Sequence, residues 1–165
     1  MDTKSVFLPF SIGVLLWLAL PLQGEAEELR FAEAVVNEWV ADCDAWGNDA
    51  RCHSAWSTGL SSNHLIQTYS IRHRETGAPI FQGRGVYKIA ENRVNGFWED
   101  SQGAIHPVEG EIVDQTLTVI WGSPATTLGR STYSIQDKGL SVRDYGLGEN
   151  GWNQFMEVEY PNPTE

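Results

Sequence analysis

Residues 116–145 read TLTVIWGSPATTLGRSTYSIQDKGLSVRDY, and their alternation decides the fold class. Leu117, Val119 and Trp121 fall on one side of an extended chain, opposite Thr116 and Thr118, while Tyr133 and Ile135 are opposed by Thr132 and Ser134. Successive side chains of a strand point to opposite faces, so a period of two marks strands with one buried face. Asp137-Lys138-Gly139 then turns the chain into a further segment, Leu140 to Tyr145. So short a link between two extended runs implies an antiparallel hairpin.

The pattern extends in both directions. Downstream, Trp152, Gln154, Met156, Val158 and Tyr160 share a face against Asn153, Glu157 and Glu159, and Pro161 and Pro163 end the run. Upstream, extended segments are predicted over His53 to Leu60, Leu65 to Arg74, Ile80 to Ile89, Val94 to Glu99 and Ala104 to Val113, the last interrupted by Pro107 and Gly110. Gly83 and Gly85 lie in register with Phe81 and Tyr87, where glycine permits a bend or bulge. About nine short strands with short links predict a mainly all-β domain built on one antiparallel sheet. Such a sheet buries its edges by closing into a barrel or by folding into a sandwich, and steady up-and-down spacing without a long crossover favours a single up-and-down β-barrel. Between Leu29 and Val40, the apolar residues Ala32, Val35, Val36, Trp39 and Val40 recur at helical spacing. A short N-terminal helix is therefore expected to precede the sheet, changing to extended chain near Asn37 or Glu38.

Ahead of this domain, Val6 to Leu22 is an uncharged apolar run that follows Lys4 and leads to Gly24-Glu25-Ala26. Those features predict a signal peptide over 1–26, cleaved before Glu27, with the barrel domain over 27–165. The alternative is an uncleaved anchor, against which Pro9 and Pro21 count. The expected location is exported, periplasmic or secreted. The net charge of the chain is −11, and losing Asp2, Lys4 and Glu25 with the leader changes it to about −10. An acidic surface repels phosphate backbones and anionic lipid heads, so no nucleic acid and no membrane surface is expected as a partner after cleavage.

The two cysteines, Cys43 and Cys52, enclose a polar loop from Asp44 to Arg51 that contains a glycine turn. In an oxidising compartment they are expected to form a disulfide, and their spacing is not the C-x-x-C of a redox pair. Closing about ten residues would stabilise the fold by roughly 2.5 to 3 kcal/mol in the chain-entropy model.

The stretches Val86 to Ile89, Gly96 to Gly103 and Gly129 to Tyr133 resemble the small calycin, or lipocalin-like, barrels found among exported bacterial proteins. The likeness covers most of Asn37 to Tyr160 and rests on strand rhythm and turn placement. The family's first-strand G-x-W stands here as Asn37-Glu38-Trp39, and its T-D-Y as Arg143-Asp144-Tyr145. What the resemblance implies is a barrel whose interior holds a small apolar ligand; it implies no particular ligand, and no cofactor is assigned.

The candidate ligand-binding residues are Trp98, His106, Trp121 and Tyr133. Each aromatic lies on the apolar face of its own strand, and tryptophan and tyrosine offer a flat apolar body with one polar tip. His106 shares a face with Val108 and Ile112 and would supply a polar contact. No catalytic residue and no metal ligand is assigned: the four histidines lack ligand spacing, and Asp42 to Asp49 fails as a calcium loop because Trp46 takes a ligand position. Asp144 falls on the face of Leu140 and Val142, where burial would require Arg143 or another donor. The expected function is an exported binding or carrier protein for an apolar or aromatic molecule. An envelope interaction domain and a small barrel isomerase or lyase are the alternatives.

Overall fold

A computed structural model describes residues 30–123 and 126–163. The expected signal segment, 1–26, lies outside the described residues. Ten antiparallel strands follow one another: β1 (Glu38–Ala45), β2 (Asn48–Thr58), β3 (His64–His73), β4 (Pro79–Ala90), β5 (Arg93–Asp100), β6 (Ile105–Val113), β7 (Thr116–Ser123), β8 (Thr126–Gln136), β9 (Gly139–Gly148) and β10 (Gly151–Pro161). Each ladder joins strands adjacent in sequence. Because β1 comes to lie beside β10 without a backbone ladder between them, the sheet is a nearly closed up-and-down barrel rather than a sandwich.

The two ends differ. At one, residues 30–35 form a short helix whose Phe31 and Val35 are fully buried, and the Trp39 Nε1 donates to the Val35 carbonyl at 2.9 Å. The turns Glu91-Asn92 and Asp114-Gln115 at this end have positive φ at both residues, the conformation whose twist matches that of the flanking strands. The core concentrates here: Leu65, Ile89, Val94, Ile112, Leu117 and Leu140 are all at most 1% exposed. Helix and side chains thus plug this half of the barrel. The other end carries the turns at 46–47, 74–78, 101–104 and 149–150, and a cavity lies inside it.

Two sequence expectations change. Among the described residues the count is ten strands, since Asp44 to Arg51 is a hairpin between β1 and β2 instead of a loop. Its turn is Trp46-Gly47, whose Gly47 N–H donates to Asp44 Oδ1 at 2.7 Å, and its inward residues Ala45 and Ala50 are too small to announce an apolar alternation. Cys43 faces Ala50 and Cys52 faces Ala41, so the disulfide staples neighbouring strands with Cα atoms 6.0 Å apart. Finally, Trp152 does not point inward with Met156, Val158 and Tyr160. A bulge between Gln154 and Met156 inserts Phe155, which flips the face of everything before it. Trp152 therefore lies outside, where the Arg130 guanidinium sits 4.8 Å from its ring.

Candidate functional site

The half of the barrel away from the helix holds a cavity of about 330 Å³. All four residues expected at a ligand site line it: Trp98 from β5, His106 from β6, Trp121 from β7 and Tyr133 from β8. Tyr69, Phe81 and Tyr160 add further rings. Phe81 and Trp98 are stacked with centroids 6.5 Å apart, and the His106 and Trp121 rings are 5.8 Å apart.

The two indoles reach their positions because the neighbouring strands supply glycine beneath them. A Cβ at Gly83 would overlap the Trp98 ring, and one at Gly129, which faces Trp121 across the β7–β8 ladder, would overlap the Trp121 ring. Each indole lies flat over a bare patch of backbone in place of projecting across the lumen. This is what keeps the cavity open: the tryptophans pave its wall instead of filling it.

Beneath the cavity a buried polar network is satisfied internally. Trp56 Nε1 and Gln67 Nε2 both donate to Ser54 Oγ, at 3.0 and 3.1 Å, and the Tyr87 hydroxyl donates to Gln67 Oε1 at 2.9 Å. Trp56 stacks on Tyr87 and meets Tyr133 edge-on at 5.1 Å, which fixes the Tyr133 ring against the cavity. Networks of this kind rigidify a site because every member is held by its neighbours.

A second chain ends in the cavity itself. Trp121 Nε1 donates to Ser131 Oγ at 3.2 Å, and Ser131 Oγ donates to Asp144 Oδ1 at 2.5 Å. Burial pushes the Asp144 carboxyl up to about 6, and the Ser131 hydrogen bond only partly opposes this. Arg143, the donor nearest in sequence, faces the other side of the strand and pairs with Glu157 and Glu159. Burial, followed by the nearby Asp144 charge, also pushes the Tyr69 and Tyr133 phenols up, so both stay neutral throughout the physiological range.

The rim is apolar. Trp46 lines the cavity at 51% exposure and meets Phe81 edge-on, and Phe155, the bulged residue, lines it at 44%. Trp46 adopts φ 55°, a conformation that a bulky L residue rarely takes. Asp100 also lies at this rim, where its Oδ1 accepts from the Gln102 and Ala104 N–H groups and holds the 101–104 turn.

The sequence left Asp144 without an assigned role and pointed to neither Trp46 nor Phe155. Alternation placed Asp144 and Tyr160 on inward faces; nothing in the local sequence signals the bulge at Phe155. Compared with protein-family models and with curated proteins, the chain matches none. As an architecture, the nearly closed antiparallel barrel is compatible with the lipocalin-like resemblance.

Proposed function

We propose that this protein is an exported lipocalin-like barrel that binds or carries one small apolar or aromatic molecule. The observation that carries this reading is the convergence of Trp98, His106, Trp121 and Tyr133, from four successive strands, on one cavity of about 330 Å³. That volume stands at the low end of small-molecule sites, which are predominantly apolar with a few placed polar groups. It suits a molecule of one or two rings. Export is supported by the Cys43–Cys52 disulfide, which belongs to an oxidising compartment. Among the described residues no helix is long and apolar enough to cross a membrane.

Binding is favoured over catalysis by the arrangement of the titratable groups. His106 contacts the Trp121 ring, Trp121 bonds to Ser131, and Ser131 bonds to Asp144, so His106 and Asp144 are linked through two intervening side chains instead of acting on a shared atom.

The test is titration of the purified mature protein with neutral aromatic probes such as indole, 3-ethylindole and naphthalene. Ligand entering the cavity takes the indole rings of Trp98 and Trp121 out of contact with water, so tryptophan fluorescence should change saturably. Ligand at about a hundred times its Kd should stabilise the fold by roughly 2.7 kcal/mol. Neither saturation nor a rise in melting temperature across the panel would refute the binding reading.

A further inference from the structure

The lining of the cavity is unbalanced in charge. Among the described residues it includes two carboxylates, Asp100 and Asp144, one histidine, and no lysine or arginine. Asp100 is engaged at the rim by the 101–104 turn. Asp144 differs: its Oδ1 accepts from Ser131, while its Oδ2 accepts nothing from any described residue. Asp144 is partly buried, and a carboxylate withdrawn from water without a cationic partner carries a desolvation cost that a cation arriving from outside would offset.

The surroundings of Asp144 favour a particular kind of partner. Tyr69, Tyr133 and Tyr160 lie close enough to feel its charge, and Trp121 reaches it through Ser131. The faces of tyrosine and tryptophan rings attract cations, most strongly when water is excluded. A second group has spare capacity: the Tyr160 hydroxyl, in a residue only 2% exposed, lines the cavity with the Tyr69 phenol as its polar neighbour and makes no hydrogen bond of normal geometry among the described residues. Phenol oxygen and carboxylate oxygen are both acceptors for an N–H donor. An anionic ligand would meet Asp144 with no positive residue to offset it, and a purely apolar one would leave Oδ2 and the Tyr160 hydroxyl unsatisfied.

We propose that the ligand is a small organic cation, a primary amine carried on one or two aromatic rings, whose ammonium group donates to Asp144 Oδ2 and the Tyr160 hydroxyl while its rings pack against Trp98 and Trp121. This rests on the binding reading above and names the class of molecule that the same cavity takes. The acidic net charge of the chain, −11, acts in the same sense by drawing cations toward the protein.

The test compares tryptamine with 3-ethylindole, its neutral analogue, and indole-3-propionate, its anionic one, by calorimetric titration of the wild-type protein and Asp144→Asn at pH 7.5. A charge-assisted hydrogen bond to the ammonium should make tryptamine bind wild type at least about tenfold more tightly than 3-ethylindole. Indole-3-propionate should bind most weakly of the three. Asp144→Asn should reduce the tryptamine preference to about onefold by weakening tryptamine, with 3-ethylindole held within about threefold. Equal affinity of wild type for tryptamine and 3-ethylindole, or a preference that survives in Asp144→Asn, overturns the amine assignment and leaves the cavity reading standing. Failure of all three indoles, with failure of the neutral panel, overturns both. The wild-type comparison decides the question by itself should the variant fold poorly.

Discussion

Replacing Asp144 by asparagine should make the free protein more stable, which is the opposite of what removing a structural hydrogen bond would do. Burial holds the Asp144 carboxyl at about 6 in the folded state against an ordinary 3.8. At about 1.36 kcal/mol per pH unit, the difference corresponds to roughly 3 kcal/mol, an upper value because the carboxylate borders a cavity that water can enter. A group whose pKa is raised by folding stabilises the native state fully below its unfolded value, and that contribution is lost as the pH rises through the folded value. Wild type therefore becomes less stable between about pH 4 and pH 6 from this group, while an asparagine keeps an oxygen for Ser131 and never ionises. Thermal melts of both proteins at pH 7.5, 6 and 4 read the effect, because titration of every other group cancels in the difference. Asp144→Asn should melt up to roughly 10 °C higher at pH 7.5, by the few degrees per kcal/mol usual for a chain of this size, and the gap should close by pH 4. A gap independent of pH, or a variant less stable than wild type at pH 7.5, would refute the account of Asp144 as a desolvated carboxylate without a cationic partner.

Further outcomes follow from other parts of the site. Trp46→Asn should leave stability within about 1 kcal/mol, since asparagine tolerates positive φ better than tryptophan, yet weaken binding of an aromatic ligand by opening the rim; calorimetry beside a melt separates the two. Gly129→Ala should cost about 1–3 kcal/mol in urea denaturation and alter tryptophan fluorescence, because the added methyl must push the Trp121 indole off its backbone seat. Replacing Cys43 and Cys52 together by alanine should cost roughly 2.5 to 3 kcal/mol, the entropy of closing a ten-residue loop, and an unchanged urea midpoint would contradict it. Met156→Asp, on the buried face of β10, should lose several kcal/mol where the exposed Glu157→Lys changes little, and equal midpoints would contradict the register.

The barrel was legible wherever large apolar residues alternate with polar ones, as in β7 and β8. It was illegible at the hairpin joining β1 to β2, where alanines occupy inward positions and the turn places a tryptophan at positive φ. The inward face of β10 was legible only after the bulge, since an extra residue shifts the face without altering local composition. The convergence of Trp98, His106, Trp121 and Tyr133 followed from alternation plus a meander, in which inward faces of successive strands must meet. What could not be read was register. The partner of Asp144 is Ser131, directly opposite on β8, while adjacent Arg143 points away, and only the β8–β9 alignment distinguishes them. Likewise Gly83 looked like a bend in its own strand and instead seats an indole from the next.

The seam between β1 and β10 has a consequence for how the wall opens. Every other strand junction closes a short link, whereas this one joins the ends of a chain of roughly 120 residues. No backbone ladder holds these two edges together. The seam is thus the line of least cohesion around the barrel, and amides of Glu38–Ala45 and Gly151–Pro161 that face it should exchange with solvent before those of the interior ladders. Parting along that line would unzip the wall lengthwise and open the cavity to the side of the barrel.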